Sequence, residues 1–273
     1  MTPFLRMTGR LLGRGLVGLV GILILIGLFT AVQAPIVDSI GGAPGLSSLM
    51  QRLPPVLLAL SRTRPEFLAA TGLAGFLSIA YTHPMMLLLA GAAVVGFAAR
   101  SLAGEMEHGT IQLTLARPRS RETAYAARVL GLAVVVGLVA VAGPVGTVVG
   151  LLAAQPAGEF AWAHLLPLAL STAALAWAIG GLALFGSAVA STSGRVVGWA
   201  LGLLTVSYFV DTFADVWRVL QPLRPFSLFA YYDPGTVLTS GTVVPRHLLV
   251  LCATGLAGVV AGLLVFRRRD LPS

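Results

Sequence analysis

Residues 15–34 read GLVGLVGILILIGLFTAVQA, twenty positions without a charged side chain. A helix rises about 1.5 Å per residue, so a run of this length crosses a hydrocarbon core roughly 30 Å thick. Five further stretches satisfy the same condition, at about 79–99, 129–153, 165–190, 196–213 and 247–266. The second has the least regular outer end, because Tyr81, Thr82, His83 and Pro84 crowd it. The expectation is an all-α integral membrane protein, with six transmembrane helices in a single transmembrane domain over residues 1–273.

Composition supports that class independently. Hydrophobic residues make up 57% of the chain and charged ones 10%, too few to cover a soluble domain. Mean hydropathy is +0.91. All 18 basic residues are arginine. The net charge of +8 does not form a phosphate-binding patch, since the arginines stand at the ends of apolar runs. No nucleic-acid partner is expected; the partner is the lipid bilayer. Cys252 is the single cysteine, so neither an intrachain disulfide nor a cysteine metal site is possible.

The arginines also fix an expected orientation. Arg6, Arg10 and Arg14 precede the first span; Arg100, Arg117, Arg119, Arg121 and Arg128 lie between the second and third. Arg195 separates the fourth from the fifth, and Arg267, Arg268 and Arg269 follow the sixth. Those twelve face six on the other side: Arg52, Arg62, Arg64, Arg218, Arg224 and Arg246. The positive-inside rule then predicts both termini in the cytoplasm. The first run, with its arginines and Ala31-Val-Gln-Ala34, imitates a signal peptide. Its length and Pro35, just past the would-be cut, favour an uncleaved helix.

Two outer segments are too long for turns. Residues 35–78 contain Leu53-Pro54-Pro55 and Arg62-Thr-Arg-Pro-Glu66; residues 214–246 carry Trp217, Phe226, Phe229, Tyr231 and Tyr232. Aromatic side chains favour the headgroup boundary, so the second segment, before the sixth helix, is expected to dip partly into the membrane. Gly146 and Gly150 in the third span, and Gly258 and Gly262 in the sixth, are small residues four apart that let helix backbones approach closely. Pro144 is expected to kink the third span.

The stretch between the second and third spans is the most informative for function: Arg100-Ser-Leu-Ala-Gly-Glu-Met-Glu-His-Gly-Thr-Ile-Gln-Leu-Thr-Leu-Ala-Arg-Pro-Arg-Ser-Arg-Glu122. Glu105 and Glu107 open a short helix, where carboxylates suit the positive end of the dipole. Ile111, Leu113 and Leu115 offer apolar contacts, and Arg117, Pro118, Arg119 and Arg121 end the segment. Two physical readings stand side by side: a helix that docks on a soluble partner, or a solvated loop whose arginines serve topology.

These residues resemble a known family. Gly104-Glu105-x-Glu107-x-Gly109-Thr110, followed by Leu115-Ala116-x-Pro118-x-Ser120-Arg121, looks like the signature of ABC-2 type transporter permeases, and Phe266-Arg-Arg-Arg-Asp270-Leu271 is similar to the family's ending. Thr114 departs from the pattern, which often has Leu there. The resemblance implies a bacterial or archaeal multi-pass plasma-membrane subunit that exports a hydrophobic or amphipathic compound, such as a drug, antibiotic or lipid. It implies a coupling segment over 104–121, with Glu105 and Glu107 contacting a separate nucleotide-binding ATPase while Gly109, Thr110, Pro118 and Arg121 shape the segment. ATP and Mg would be bound by that ATPase and no cofactor by this chain. A second permease chain, identical or different, would complete the transporter. Since the chain has no lysine, it has no G-x-x-x-x-G-K-[ST] phosphate loop of its own.

Other polar residues carry weaker readings. Asp211 and Asp215, near the outer end of the fifth span, could line an outer gate, or could be interfacial residues neutralised by Arg218 and water. His83, His108, His164 and His247 form neither H-x-x-x-H nor H-E-x-x-H, so no metal site is expected. Glu105 and Glu107 face different directions on a helix, which argues against an acid–base pair. A membrane-integral enzyme would need a convergent polar cluster, and a stand-alone secondary transporter would need paired charges or broken helices near the midplane. Both remain as alternatives.

Overall fold

A computed structural model of the chain describes residues 3–13, 15–39, 41, 45, 48, 65–110 and 120–269. Six helices among them are long and apolar enough to cross a membrane. In chain order the α-helices are α1 (Pro3–Gly13), α2 (Leu16–Ala31), α3 (Gln33–Ser39), α4 (Pro65–Thr82), α5 (Pro84–Ser101), α6 (Ala103–Glu107), α7 (Arg121–Ala154), α8 (Leu165–Val189), α9 (Ser193–Phe213), α10 (Pro234–Ser240) and α11 (Pro245–Arg268). The six spans are α2 continued by α3, then α5, α7, α8, α9 and α11. No strand occurs among the described residues.

The expected boundaries hold within a few residues except at two places. The second span begins at Pro84, not at residue 79: His83 is extended (φ −65°, ψ 136°), as a residue before proline prefers, and its ring accepts a hydrogen bond from the Met85 N–H. Residues 79–82 belong instead to α4, which is bent at Gly72, where φ is +57°. The third span begins at Arg121 rather than 129. Ser120 caps it by accepting from the Thr123 N–H at 3.1 Å, and the helix then runs 34 residues, through Pro144, to Ala154. At 1.5 Å per residue that is about 51 Å, so α7 projects well beyond a ~30 Å hydrocarbon core.

Close backbone approach organises the bundle. A Cβ on Gly146 would fall on the Gly27 carbonyl oxygen and the Thr30 hydroxyl, and one on Gly150 on the Ala31 carbonyl, so α2 lies directly against α7. Thr30 Oγ1 donates to the Gly143 carbonyl at 2.9 Å beside Pro144, fastening the same crossing. On the other side, Gly181 of α8 meets Gly255 and Gly258 of α11 backbone to backbone, and a Cβ on Gly262 would strike the Tyr125 hydroxyl. Such contacts rely on dispersion, because lipid supplies no hydrophobic drive between helices.

The two long connections meet over one end of the bundle, where α4 packs against α10. Ser227 donates to the Ser207 carbonyl at 2.8 Å, and Ser207 Oγ accepts from the Leu228 N–H at 2.9 Å, pinning residues 227–231 to α9. The aromatic residues expected at the interface divide: Phe229 and Tyr232 are buried in the core, while Trp217 and Phe226 are exposed.

Candidate functional site

Helices α5, α8 and α11 finish at one end of the bundle, and α2, α7 and α9 start there. That end holds the described parts of the signature segment, residues 104–110 and 120–121, and is called the basic end below. A helix leaves unpaired carbonyls at its carboxyl end and unpaired N–H groups at its amino end, with partial charges of matching sign. At the basic end, side chains of opposite charge answer them. Arg128 Nε donates to the Ser101 carbonyl at 2.7 Å, at the end of α5. Arg121 Nη1 donates to the Phe266, Arg267 and Arg269 carbonyls, at the end of α11, with the shortest at 2.7 Å. Arg269 Nη1 donates to the Ala188 and Ala190 carbonyls at 2.6 and 2.9 Å, at the end of α8. At the amino ends, Glu122 lies in the first turn of α7, and Glu107 accepts from the Ser193 N–H at 2.9 Å and from its hydroxyl at 2.6 Å, at the start of α9.

The short helix α6 sits in the middle of this plate. Its N-terminal residue, Ala103, donates its N–H to Ser187 Oγ of α8 at 2.9 Å. The Glu105 carboxylate is buried, 3% exposed, and forms an ion pair with Arg128, which is 0% exposed. Arg128 also donates to the Ala124 carbonyl at 2.6 Å, and its guanidinium lies 6.0 Å from the centre of the Phe266 ring. A buried arginine is tolerable only when its donors are this fully engaged. Beyond α6, His108 contacts the Gly104 carbonyl through Nδ1 at 2.7 Å, and Thr110 Oγ1 donates to the Glu105 carbonyl at 3.4 Å. Gly109 has φ +65°, a left-handed conformation that glycine adopts without strain.

The two carboxylates of the signature thus diverge. Glu105 is turned inward to α7, not displayed at the surface where a docking contact was expected. Glu107 is exposed but reaches sideways to α9, and the Ser193 hydroxyl and N–H hold its pKa below the ordinary carboxylate value. Arg121 is engaged in capping α11. Pro118, with Ile111, Leu113 and Leu115, lies outside the described residues.

At the opposite end, the expected partner of the aspartates is corrected. Arg224, not Arg218, bridges Asp211 (3.3 Å) and Asp215 (2.9 Å), because the chain folds back after α9 and carries Arg224 over both. Asp211 is buried in this bridge while Asp215 is exposed. Ser171 and Thr172 are buried in α8, with Thr172 bonded to the Tyr232 hydroxyl at 3.2 Å. Among the described residues no group of three or more His, Cys, Asp or Glu could hold a metal ion.

Sequence reasoning treated Arg128 and Arg269 as topology signals and passed over Ser187 and Ser193. Arg128 carried one usable signal. It stands seven residues after Arg121, on a continuous helical pattern, with apolar residues on both sides. An arginine placed so demands an acid, and Glu105 and Glu107 are close in sequence.

A bundle with six helices long and apolar enough to cross a membrane, and a short carboxylate-bearing helix clamped among their ends, defines a multi-pass membrane protein. The chain belongs to the ABC-2 transporter family: the family described as "ABC-2 family transporter protein" matches residues 57–271. It is therefore a multi-pass permease subunit of an ABC transporter, of the kind that associates with an ABC ATPase subunit and is not itself the ATPase. No curated protein matches the chain.

Proposed function

We propose that this permease exports a hydrophobic or amphipathic compound across a bacterial or archaeal plasma membrane, powered by ATP and Mg bound on a separate ATPase seated at the basic end. In this reading the basic end faces the cytoplasm, both termini lie there, and a second permease chain completes the translocation path. The observation that carries the reading is the position of α6. Among the described residues it is the one short helix held against the ends of α5, α8 and α9, with a buried charge pair into α7, so a push on it is felt by four spans. Gly109, Thr110, Pro118 and Arg121 then shape the stretch that an ATPase contacts.

The test is site-directed cross-linking in native membranes, with the chain co-expressed with its ATPase and Cys252→Ser as background. His108→Cys is expected to cross-link to the ATPase, and Val145→Cys, on an exposed face within α7, is not. Equal cross-linking at both, or none at His108→Cys, would overturn the docking assignment. The Arg224 bridge is the candidate outer gate; export unchanged in Asp211→Asn plus Asp215→Asn would remove that part of the reading.

A further inference from the structure

We infer that Glu105 and Glu107 are positioning residues that yoke the third span to the fifth, and are not themselves contacts for the ATPase. The inference rests on the reading of 104–121 as the ATPase-coupling segment, and gives that segment's two carboxylates an inward task.

Four observations converge on it. The Glu105 carboxylate is paired with Arg128, and both groups are buried. Arg128 in turn holds the end of α5 at Ser101 and its own helix at Ala124, so α6, α5 and α7 share one bolt. On the other flank, Glu107 grips the first residue of α9 through two hydrogen bonds, a carboxylate placed where the helix dipole favours it. Between them, the Ala103 N–H rests on Ser187 of α8 and forms a bearing. Alternate residues of a five-residue helix therefore reach two different spans, while the helix starts on a third.

The two grips differ in kind. The Glu105–Arg128 pair is dry, so breaking it strands a charge and α7 must travel with α6. The Glu107–Ser193 contact is exposed, so water can replace it and α9 can be released. A displacement of α6 is delivered firmly to α7 and conditionally to α9, which is what is needed to move one span past the other.

The experiment uses the full chain with its ATPase, reconstituted in lipid nanodiscs, in a Cys252→Ser background. Spin labels go on Leu152→Cys, near the far end of α7, and Val216→Cys, in the turn just past the end of α9, both exposed. The separation of the labels is measured with and without MgATP and vanadate. Unmodified chain is expected to retain the ATPase and show a nucleotide-driven change. Glu105→Gln, Glu107→Ala and Ser193→Ala are each expected to retain the ATPase within about twofold, while the population responding to nucleotide falls by about fivefold or more. Glu105→Arg combined with Arg128→Glu is expected to restore the response. If the exchanged pair does not fold, the exposed Glu107→Ala and Ser193→Ala variants decide. Loss of the ATPase in Glu107→Ala would make Glu107 a docking contact, and an unchanged response in all variants would make the contacts a static brace; either overturns the inference. An unmodified chain that retains no ATPase would fell the coupling reading, and the yoke with it.

Discussion

At the scale of single residues, Arg128 dominates the basic end because it has no route to water. Removing either partner of a buried pair leaves the other charge unanswered, at a cost of about 3–5 kcal/mol. Arg128→Met is therefore expected to lower the thermal midpoint of the detergent-solubilised chain markedly. Glu105→Gln should cost less, since its amide oxygen still accepts from the guanidinium. Replacing both by leucine should cost less than the sum of the two single losses, which a double-mutant cycle in thermal unfolding would measure. Glu107 behaves differently because it is exposed and its pKa is lowered by the Ser193 hydroxyl and N–H. A depressed carboxylate pKa means the contact is fully present above the ordinary carboxylate range and is lost as pH falls through the lowered value. Amide-exchange protection at Ser193 is expected to be flat from about pH 8 to about pH 6 and to fall only in stronger acid. Loss of protection already near neutrality would show that the Glu107 carboxylate does not hold that N–H.

At the scale of elements, the helix crossings are set by atoms that are missing. Leucine at Gly146 would have to displace the α2 backbone at Gly27, and leucine at Gly258 the α8 backbone at Gly181. Overpacking costs about 1–3 kcal/mol where side chains can yield, and here the obstacle is main chain. Gly146→Leu should loosen α2 from α7 and Gly258→Leu should loosen α8 from α11. Protease sensitivity of the detergent-solubilised variants would report both, with Gly137→Leu, where an added side chain meets open space, as the neutral control. The spans and the small residues on them were legible in the sequence because length, hydropathy and four-residue spacing are local properties. The start of the second span was less so: apolar residues continue through 73–82, and only the His83-Pro84 step ends α4 there. The start of the third was obscured for the opposite reason. Arg121 and Arg128 resemble a loop when counted as charges, yet the Ser120 cap begins a helix that carries both. Which carboxylate pairs with which arginine depends on how five helix ends meet, and no local pattern encodes that. Arg224 in place of Arg218 is the same lesson, since a chain reversal after α9 decides the partner.

At the scale of the whole molecule, the arginines do two things at once. Their uneven distribution predicts orientation, and their donors close the carboxyl ends of α5, α8 and α11. A membrane-impermeant thiol reagent applied to intact cells should label Phe226→Cys and spare His108→Cys in a Cys252→Ser background; the reverse pattern would invert the proposed orientation. The unbroken α7 has a mechanical consequence as well. It is clamped against α2 at Gly146 and Gly150 and gripped by α6 at Arg128. At 1.5 Å per residue, the input arm from Arg128 to that clamp is about 30 Å, and the output arm onward to Ala154 about 9 Å. A lever so proportioned trades travel for force by about threefold, with Pro144, where one rung of the helix ladder is absent, giving it compliance beside the fulcrum. In the proposed coupling, a push at the basic end would move far so that the other end moves a little, and hard.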